Sequence, residues 1–254
     1  MGHSGVVRSL RQAWVICFLA GCAAPSQKPA PNAWLLKPDW TDAGAFRNTT
    51  LKGRSGQSHQ LSGAHLANLK TVLLAIREQS GIDPQLALIA SDTPNAFATM
   101  REGKQLIGIT LPMLDGIGLD RDALATTVGH ELAHLKLNHG DIRKQREKSA
   151  RGVSDVLGVI LGVAGVPMGG TIASVGIGVI TTAYSRDEER EADELGLHWA
   201  MAAGYSACGS ARTMRLLKEQ GRAAPLPFLA SHPGHDERIE RADKAALAAT
   251  GTGC

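Results

Sequence analysis

The chain has 254 residues, of which 43% are hydrophobic and 20% charged, and its formal net charge is +3. This length suffices for one sizeable domain with a tether, and 27 basic against 24 acidic residues give no indication of a nucleic-acid partner. Two of the basic residues, Arg8 and Arg11, lie within residues 1–21, which contain no acidic residue. Without that segment the net charge falls to +1, so the basic character of the full chain says little about partners.

The amino-terminal segment has the pattern of an export signal. Two arginines precede a short apolar run that cannot span a bilayer as a stable anchor. The tetrapeptide at 19–22 resembles a bacterial lipoprotein cleavage box, which implies cleavage before Cys22 and attachment of lipid to its thiol. Ala23 follows in place of an aspartate, which by analogy with lipoprotein sorting favours the outer membrane. We therefore expect a signal peptide at 1–21 and a mature chain on the periplasmic face of the outer membrane. An ordinary secretory signal is the alternative.

The four cysteines have different expected fates. Cys17 would be removed with the signal and Cys22 would carry lipid, which leaves Cys208 and Cys254. In an oxidising periplasm these two can form a disulfide that pins the carboxyl terminus to the helical region. Free thiols are the alternative, because Cys254 is the last residue and can fray. None of the four has a metal-ligand spacing.

The segment 22–63 is rich in Pro, Ala, Ser, Gln and Gly. This composition predicts a tether that leads into an irregular arm, partly ordered by its two tryptophans. The folded domain is expected at 64–254. It begins with an amphipathic helix at 65–80, in which aliphatic residues recur at helical spacing and which Gly81 ends.

Three short apolar segments follow at 86–90, 94–100 and 106–110, with a glycine-containing turn at 102–103. They predict a small antiparallel sheet of about three strands. With the helical segments, this gives a fold class that is mainly α with a small antiparallel β-sheet (α+β). An edge strand of such a sheet beside a metal site can bind an extended peptide by main-chain pairing, and a plain structural sheet is the alternative.

The next helix is predicted at 120–139. Asp120 is a suitable N-cap, apolar residues recur along one stripe, and Gly140 is a suitable stop. This stripe faces away from the histidines and would hold the helix against a core.

That helix carries an HExxH pattern at 130–134. His130 and His134 lie one turn apart on the same face, so their two imidazoles can bind one metal ion. Glu131 lies beside them, where it can contact water at the metal rather than the metal itself. The structural alternative is a polar helix face with incidental histidines.

A glycine-rich apolar segment follows at 156–180, after a basic stretch that predicts a solvated helix face. Its length approaches that of a membrane span, but Pro167 and two adjacent glycines interrupt it. The pattern favours a helical hairpin with closely packed small residues, lying on the domain or dipping toward the membrane.

An acidic segment at 184–196 predicts a helix that can complete the metal site. A catalytic zinc needs a third protein ligand and an open position for water. Glu189 and Asp193 share one helix face, so one carboxylate can bind the metal while the other orients a ligating imidazole. Glu188 and Glu191 are alternative ligands, and acidity alone does not choose among the three glutamates.

A family resemblance rests on motifs at 95–98, 130–134, 189–193 and 231–239, in that order. Together they resemble zinc metallopeptidases of peptidase family M48, related to HtpX and the CAAX prenyl endopeptidases. The resemblance implies a mostly helical gluzincin-type fold, Glu189 as the third zinc ligand and Asp193 as the supporting carboxylate. It also implies the periplasmic branch, which acts on damaged or misassembled envelope proteins, because the multiple spans of the membrane-embedded members are lacking.

The residues and the resemblance together predict one zinc ion per chain, held by His130, His134 and Glu189. Glu131 would act as the general base that takes a proton from the attacking water and passes it to the leaving amine.

The oxyanion of the reaction needs a further donor, for which His232, Tyr184 and Arg238 are candidates. A second role is open for His232, which precedes Pro233 and could occupy the open zinc position and keep the enzyme latent. His139 and His198 are interpreted as exposed or capping residues and not as ligands.

These inferences predict a zinc metalloendopeptidase for protein or peptide substrates, tethered to the membrane through lipid on Cys22. A non-catalytic zinc-binding chaperone or assembly lipoprotein of the outer membrane is one alternative. It would retain the ligands but would need neither Glu131 nor an open metal position. A purely structural lipoprotein without a metal is the other.

Overall fold

The described strands form a four-stranded sheet and a separate hairpin. The computed structural model describes residues 33–36, 49–53, 55–146, 183–222 and 225–254. In chain order the strands are β1 (Ala33–Leu36), β2 (Thr49–Lys52), β3 (Ser58–Leu61), β4 (Gln85–Ile89), β5 (Ala96–Arg101) and β6 (Lys104–Thr110). Strands β1, β4, β6 and β5 lie side by side in that order, and β2 pairs with β3. The predicted signal peptide, Cys22 and the predicted hairpin at 156–180 lie outside the described residues.

The four-stranded sheet is mixed, so the prediction of an antiparallel sheet is wrong in this detail. β4 runs parallel to β6, whereas β1 is antiparallel to β4 and β5 is antiparallel to β6. The chain reverses between β4 and β5 through a wide connection, and β6 then fills the space between them. The Thr110 hydroxyl holds this connection, because it accepts a hydrogen bond from the Asn95 N–H at 2.8 Å and donates one to the Thr93 carbonyl at 3.0 Å. Alternation of apolar residues cannot reveal this strand order.

The predicted turn between β5 and β6 is confirmed. Glu102 and Gly103 have φ angles of 51° and 76°, the left-handed pair that a two-residue hairpin requires. The turn pairs β5 with β6, and in the strand order β5 is the edge strand of the sheet, on the side away from β1.

Strands β1, β2 and β3 all come from the segment 22–63, for which an irregular arm was expected. β1 extends the sheet, and Leu51 and Leu61 of the hairpin are buried in the main core. The boundary at residue 64 stays a prediction, although ordered strands precede it.

Helices make up most of the remaining described structure, and the α+β class is confirmed. They are α1 (Gly63–Ser80), α2 (Leu111–Ile117), α3 (Arg121–Lys136), α4 (139–146), α5 (Arg186–Ala202), α6 (Cys208–Gly221), α7 (Pro227–Ser231) and α8 (His235–Thr250). Gly81 ends α1 in the left-handed conformation, as predicted. None of the helices in the described ranges is long and apolar enough to cross a membrane.

Helix α3 begins where the sequence predicts but ends earlier. The Asp120 side chain caps it by accepting a hydrogen bond from the Ala123 N–H at 3.0 Å. Its carboxyl end is at Lys136, because Asn138 adopts a left-handed φ of 57° and turns the chain. Gly140, the predicted stop, lies instead within α4.

Helices α3 and α5 touch through their backbones. A Cβ atom on Gly129 would lie 2.6 Å from the Gly196 carbonyl oxygen, and a Cβ on Gly196 would lie 2.6 Å from the His130 nitrogen. Any larger residue would push the helices apart. This contact lets short carboxylate side chains of α5 reach the histidines of α3.

A disulfide joins Cys208 at the start of α6 to Cys254 at the end of the chain. Of the two alternatives for these cysteines, the bonded one is therefore observed. The backbone N–H of Cys254 also donates a hydrogen bond to Asp243 of α8 at 2.5 Å. The carboxyl terminus is thus fixed to both helices.

Candidate metal centre

Three buried side chains from α3 and α5 converge on one point. The Nε2 atoms of His130 and His134 are 3.0 Å apart, and Glu189 Oε1 lies 3.3 Å from His134 Nε2. Glu189 Oε2 lies 3.5 Å from His130 Nε2. Ligands about 2.1 Å from a tetrahedral zinc ion are roughly 3.4 Å apart, so this spacing fits the ion. The three residues are at most 2% exposed.

Among the three candidate glutamates, Glu189 is the one at the histidines. Glu188 instead caps α5 by accepting a hydrogen bond from the Ser185 N–H and forms an ion pair with Arg146. Glu191 lies on the outer face of the helix, with its side chain 63% exposed.

His232 joins this cluster from the connection between α7 and α8. Its Nδ1 lies 2.9 Å from Glu189 Oε1 and 3.3 Å from His130 Nε2, and the four side chains could together hold a metal ion. Its ring stacks on Phe228, with centroids 4.5 Å apart, and is 2% exposed. The sequence analysis named His232 as a candidate for this site, but a sequence does not indicate which ring nitrogen faces the ligands.

Glu131 is fully buried beside the cluster. Neither of its carboxylate oxygens has a hydrogen-bond partner in the described part of the chain, and its contact with His232 Nε2 is 3.6 Å long. A buried carboxylate is costly unless it is paired. A cation with water beside it would satisfy this carboxylate, which fits the predicted metal.

Asp193 supports His130 from the side opposite the cluster. Its Oδ1 lies 3.0 Å from His130 Nδ1, and Arg238 Nη2 lies 3.1 Å from the same nitrogen. With a proton on Nδ1, the ring can donate to Asp193 and leaves Nε2 for a metal. The Nε of Arg238 donates to both oxygens of Asp193 at 3.0 and 3.1 Å, and Arg241 Nη2 donates to Oδ2 at 2.8 Å. Arg238 Nη1 also lies 3.1 Å from Glu189 Oε2. The guanidinium of Arg238, one of the candidate oxyanion donors, is thus held between two carboxylates.

The charges of the site balance around a divalent cation. Three buried carboxylates, those of Glu131, Glu189 and Asp193, face the fully buried guanidinium of Arg238. Burial raises the pKa of Glu189 and of Asp193, but the neighbouring imidazole and guanidinium groups outweigh it and hold both pKa values well below their ordinary range. A dication would bring the summed charge of these four groups to zero. Burial lowers the pKa of His134, which favours the neutral imidazole that binds metals.

Tyr184, another oxyanion candidate, packs against the second histidine. Its ring stacks on His134 with centroids 3.8 Å apart and planes 13° apart, and the Arg143 guanidinium lies 4.0 Å from its ring centre. Burial raises the pKa of Tyr184, so its hydroxyl remains protonated. Its backbone N–H donates to the Ser231 carbonyl at 3.0 Å, which ties the start of α5 to the segment that carries His232.

The interpretation of His139 as an exposed or capping residue is wrong. It is 1% exposed, and its Nδ1 lies 2.9 Å from His134 Nδ1. The early turn at Asn138 brings this ring back to the metal centre, whereas a helix continuing to residue 139 would carry it away. The only sequence signal was an asparagine, a residue that tolerates the left-handed conformation, directly before it. His198 is exposed, as expected.

Two histidines from an HExxH helix, a glutamate from a second helix and a free buried glutamate beside them define a zinc metallopeptidase. Residues 65–246 match the model of peptidase family M48. The chain therefore belongs to peptidase family M48, as the motifs predicted, and it is a metalloendopeptidase with one zinc ion.

Several proteins named as proteases are similar to this chain. An HtpX protease homologue from Thermococcus sibiricus is 27% identical, with 70% of this chain and 73% of that protein covered. The metalloprotease YcaL of Escherichia coli is 26% identical over 44% of each chain. A putative beta-barrel assembly-enhancing protease of Vibrio cholerae is 29% identical over 46% of this chain and 26% of that protein.

Proposed function

We propose that this metalloendopeptidase cleaves damaged or misassembled proteins of the bacterial cell envelope, from a lipid anchor on the periplasmic face of the outer membrane. The likeness to a protein named for beta-barrel assembly supports this substrate class. The lipoprotein-type sequence before Cys22 supports the anchor. The observation that carries the peptidase chemistry is the buried, unpartnered carboxylate of Glu131 beside the ligand cluster.

The residue roles follow from this geometry. His130, His134 and Glu189 would hold the zinc ion, which when bound polarises the scissile carbonyl and makes water a better nucleophile. Glu131 takes the proton of the attacking water and delivers it to the leaving amine. Asp193 holds the imidazole of His130 in the orientation and tautomer that binding requires.

The edge strand β5 is the proposed binding surface for the substrate. Within the described structure β5 pairs on one side only, with β6. An extended peptide that adds to its open edge is held by main-chain hydrogen bonds, which do not depend on side-chain identity. This mode suits an enzyme that accepts unfolded segments of many proteins.

For His232 we favour the latent role over the oxyanion role. The position of its Nδ1, 2.9 Å from Glu189 Oε1 and 3.3 Å from His130 Nε2, supports this choice, because a fourth protein ligand closes a zinc site to water. Replacement His232→Ala should then raise basal cleavage of casein. A fall of about 10²- to 10³-fold in kcat would support the oxyanion role instead.

The first experiment compares the mature protein with Glu131→Gln for zinc content and casein cleavage in the same samples. We expect about one zinc ion in both proteins and cleavage by the unaltered protein alone. Equal cleavage by both would refute the role of Glu131. If both bind zinc, neither cleaves and His232→Ala does not restore cleavage, the non-catalytic chaperone or assembly lipoprotein is favoured.

A separate experiment tests the anchor and the substrates. Replacement Cys22→Ser should prevent incorporation of labelled fatty acid and move the protein from the membrane fraction to the soluble fraction. Deletion of the gene should prolong the lifetime of misassembled outer-membrane proteins, and the Glu131→Gln protein should not restore turnover. Normal turnover in the deletion strain would contradict the proposed substrate class.

A further inference from the structure

A chain of polar contacts leads from the second metal-site histidine to the protein surface. His134 Nδ1 lies 2.9 Å from His139 Nδ1, and His139 Nε2 lies 3.1 Å from Glu191 Oε2. Both rings are at most 2% exposed, whereas the Glu191 side chain is 63% exposed. The contacts therefore connect the buried centre to solvent through one imidazole.

One arrangement of protons satisfies all of these contacts. His134 Nε2 lies 3.0 Å from His130 Nε2 and 3.3 Å from Glu189 Oε1, so this nitrogen faces the ligand cluster. In a neutral ring that binds a metal through Nε2, the proton is on Nδ1. Since Nδ1 of His134 donates, Nδ1 of His139 accepts, and the proton of His139 is on Nε2. That N–H in turn donates to the carboxylate of Glu191, which only accepts. Every donor then faces an acceptor.

The stacking contact of His134 leaves the orientation of the ring within its own plane undetermined, and the contacts with His139 and Glu191 can fix it. Stacking on Tyr184 fixes the plane of the ring, with 13° between the two planes. Stacking alone does not fix which edge of the ring points at the metal or which nitrogen carries the proton. A hydrogen bond from Nδ1 fixes both.

We propose that His139 and Glu191 are positioning residues for the metal site. They act through His134 and do not touch the metal or the substrate. His139 selects the His134 tautomer that leaves Nε2 free, and the Glu191 carboxylate selects the matching tautomer of His139. The inference depends on the metal centre and is independent of which proteins are cleaved.

The test compares four variants of the mature protein. His139→Leu removes the acceptor at similar size, whereas His139→Asn keeps an oxygen near the position of Nδ1. Glu191→Gln removes the surface charge, and Glu194→Gln is its matched control, an exposed glutamate on the same helix. Zinc affinity is measured by competition with a chelator, and the tautomer of His134 is read by nitrogen-15 NMR on the zinc-free proteins.

We expect His139→Leu to weaken zinc binding by about 10- to 100-fold and His139→Asn to recover most of that loss. Glu191→Gln should weaken binding by less than about tenfold, with Glu194→Gln unchanged. In the zinc-free unaltered protein, His134 should carry its proton on Nδ1, and in His139→Leu the two tautomers should become mixed. A purely structural role would alter folding stability without altering the tautomer.

Two results would overturn the proposal. One is a zinc affinity of His139→Leu within about twofold of the unaltered protein, since a positioning residue must affect the ligand that it holds. The other is a zinc-free protein with the His134 proton on Nε2. If His139→Leu does not fold, equal zinc affinities of Glu191→Gln and Glu194→Gln would overturn it, because both changes are at the surface.

Discussion

The two histidines of α3 lie one turn apart and face the same metal position, but their supports differ. The Asp193 side comprises His130, Asp193, Arg238 and Arg241, and its hydrogen-bonded groups are carboxylate and guanidinium. The His139 side comprises His134, His139 and Glu191, and a neutral imidazole stands between the ligand and its carboxylate. The Asp193 side is mostly closed, because His130, Asp193 and Arg238 are buried and only Arg241, 23% exposed, approaches the surface. The His139 side ends in the Glu191 carboxylate, whose side chain is 63% exposed.

This difference predicts different energetics for the two sides. Buried ion pairs are little screened by salt, and removal of one partner leaves a charge that cannot be solvated. An exposed carboxylate is screened by salt and contributes less. The Asp193 side should therefore govern folding of the zinc-free protein, whereas the His139 side should mainly tune metal affinity.

The largest effect is expected from Arg238→Met. This change leaves Asp193 and Glu189 buried without their main cationic partner, so zinc-free stability should fall by about 3–5 kcal/mol in urea unfolding with chelator present. Zinc should restore part of the loss because it supplies positive charge at the same place. Arg241→Met is the control, since its side chain is 23% exposed and its loss should cost less. A cost below about 1 kcal/mol for Arg238→Met would remove the contrast between the two sides.

A change at the contact between α3 and α5 should affect both sides together. Gly196→Ala places a Cβ 2.6 Å from the His130 nitrogen, and overpacking of this kind costs about 1–3 kcal/mol. The wider helix spacing should also weaken zinc binding, because Glu189 and Asp193 move away from the histidines. Gly140→Ala is the control, since a Cβ there meets nothing within 4 Å. Unchanged zinc affinity in Gly196→Ala would show that the distance between α3 and α5 does not determine the positions of the zinc ligands.

Salt provides a direct comparison of the two supports. Asp193→Asn should weaken zinc binding by about 10- to 100-fold at both low and high salt. The smaller loss in Glu191→Gln should shrink as salt rises from about 0.05 M to about 0.5 M, because its carboxylate is exposed. Competition with a chelator at the two ionic strengths measures the loss of zinc affinity in each variant. Equal salt dependence of the two losses would contradict the division into closed and exposed supports.

The smallest effect concerns the cap of α3, which carries both histidines. Asp120→Ala should cost about 1 kcal/mol of stability at neutral pH. The hydrogen bond with Arg212 lowers the pKa of Asp120 below its ordinary 3.8 in the folded state. Its stabilising effect is therefore complete above that value and is lost as pH falls through the folded-state pKa. Urea unfolding should show that the difference in unfolding free energy between the unaltered protein and Asp120→Ala becomes smaller below about pH 4. A difference that does not change with pH would mean that the charge of Asp120 does not contribute to the cap.

Local rules predicted the parts of the site that a single helix determines. The spacing of His130 and His134, the Asp120 cap and the core stripe of α3 depend on residues within a few turns of one another. The parallel pairing of β4 with β6 depends on strand order, which apolar alternation does not encode. The choice of Glu189 among three glutamates came from the family resemblance, since acidity alone left it open.

The contacts of His139 and Arg238 could not be predicted because each depends on distant events. His139 reaches His134 only because Asn138 turns the chain two residues after α3 ends. Arg238 lies 45 residues after Asp193, and α8 must dock before its guanidinium meets that carboxylate. A sequence pattern can mark such residues as candidates, but the partner of each is set by tertiary packing.

The disulfide makes the end of the chain a covalent ring. Cys208 and Cys254 are 46 residues apart, and the ring contains His232, Arg238 and Arg241. A single cut within this ring, by the enzyme itself or by another protease, would release no fragment while the disulfide is intact. A nicked molecule would keep His232 and Arg238 attached and would migrate as one chain without reductant but as two with it. Self-cleavage in this region is therefore hidden in electrophoresis without reductant and becomes visible only when the disulfide is reduced.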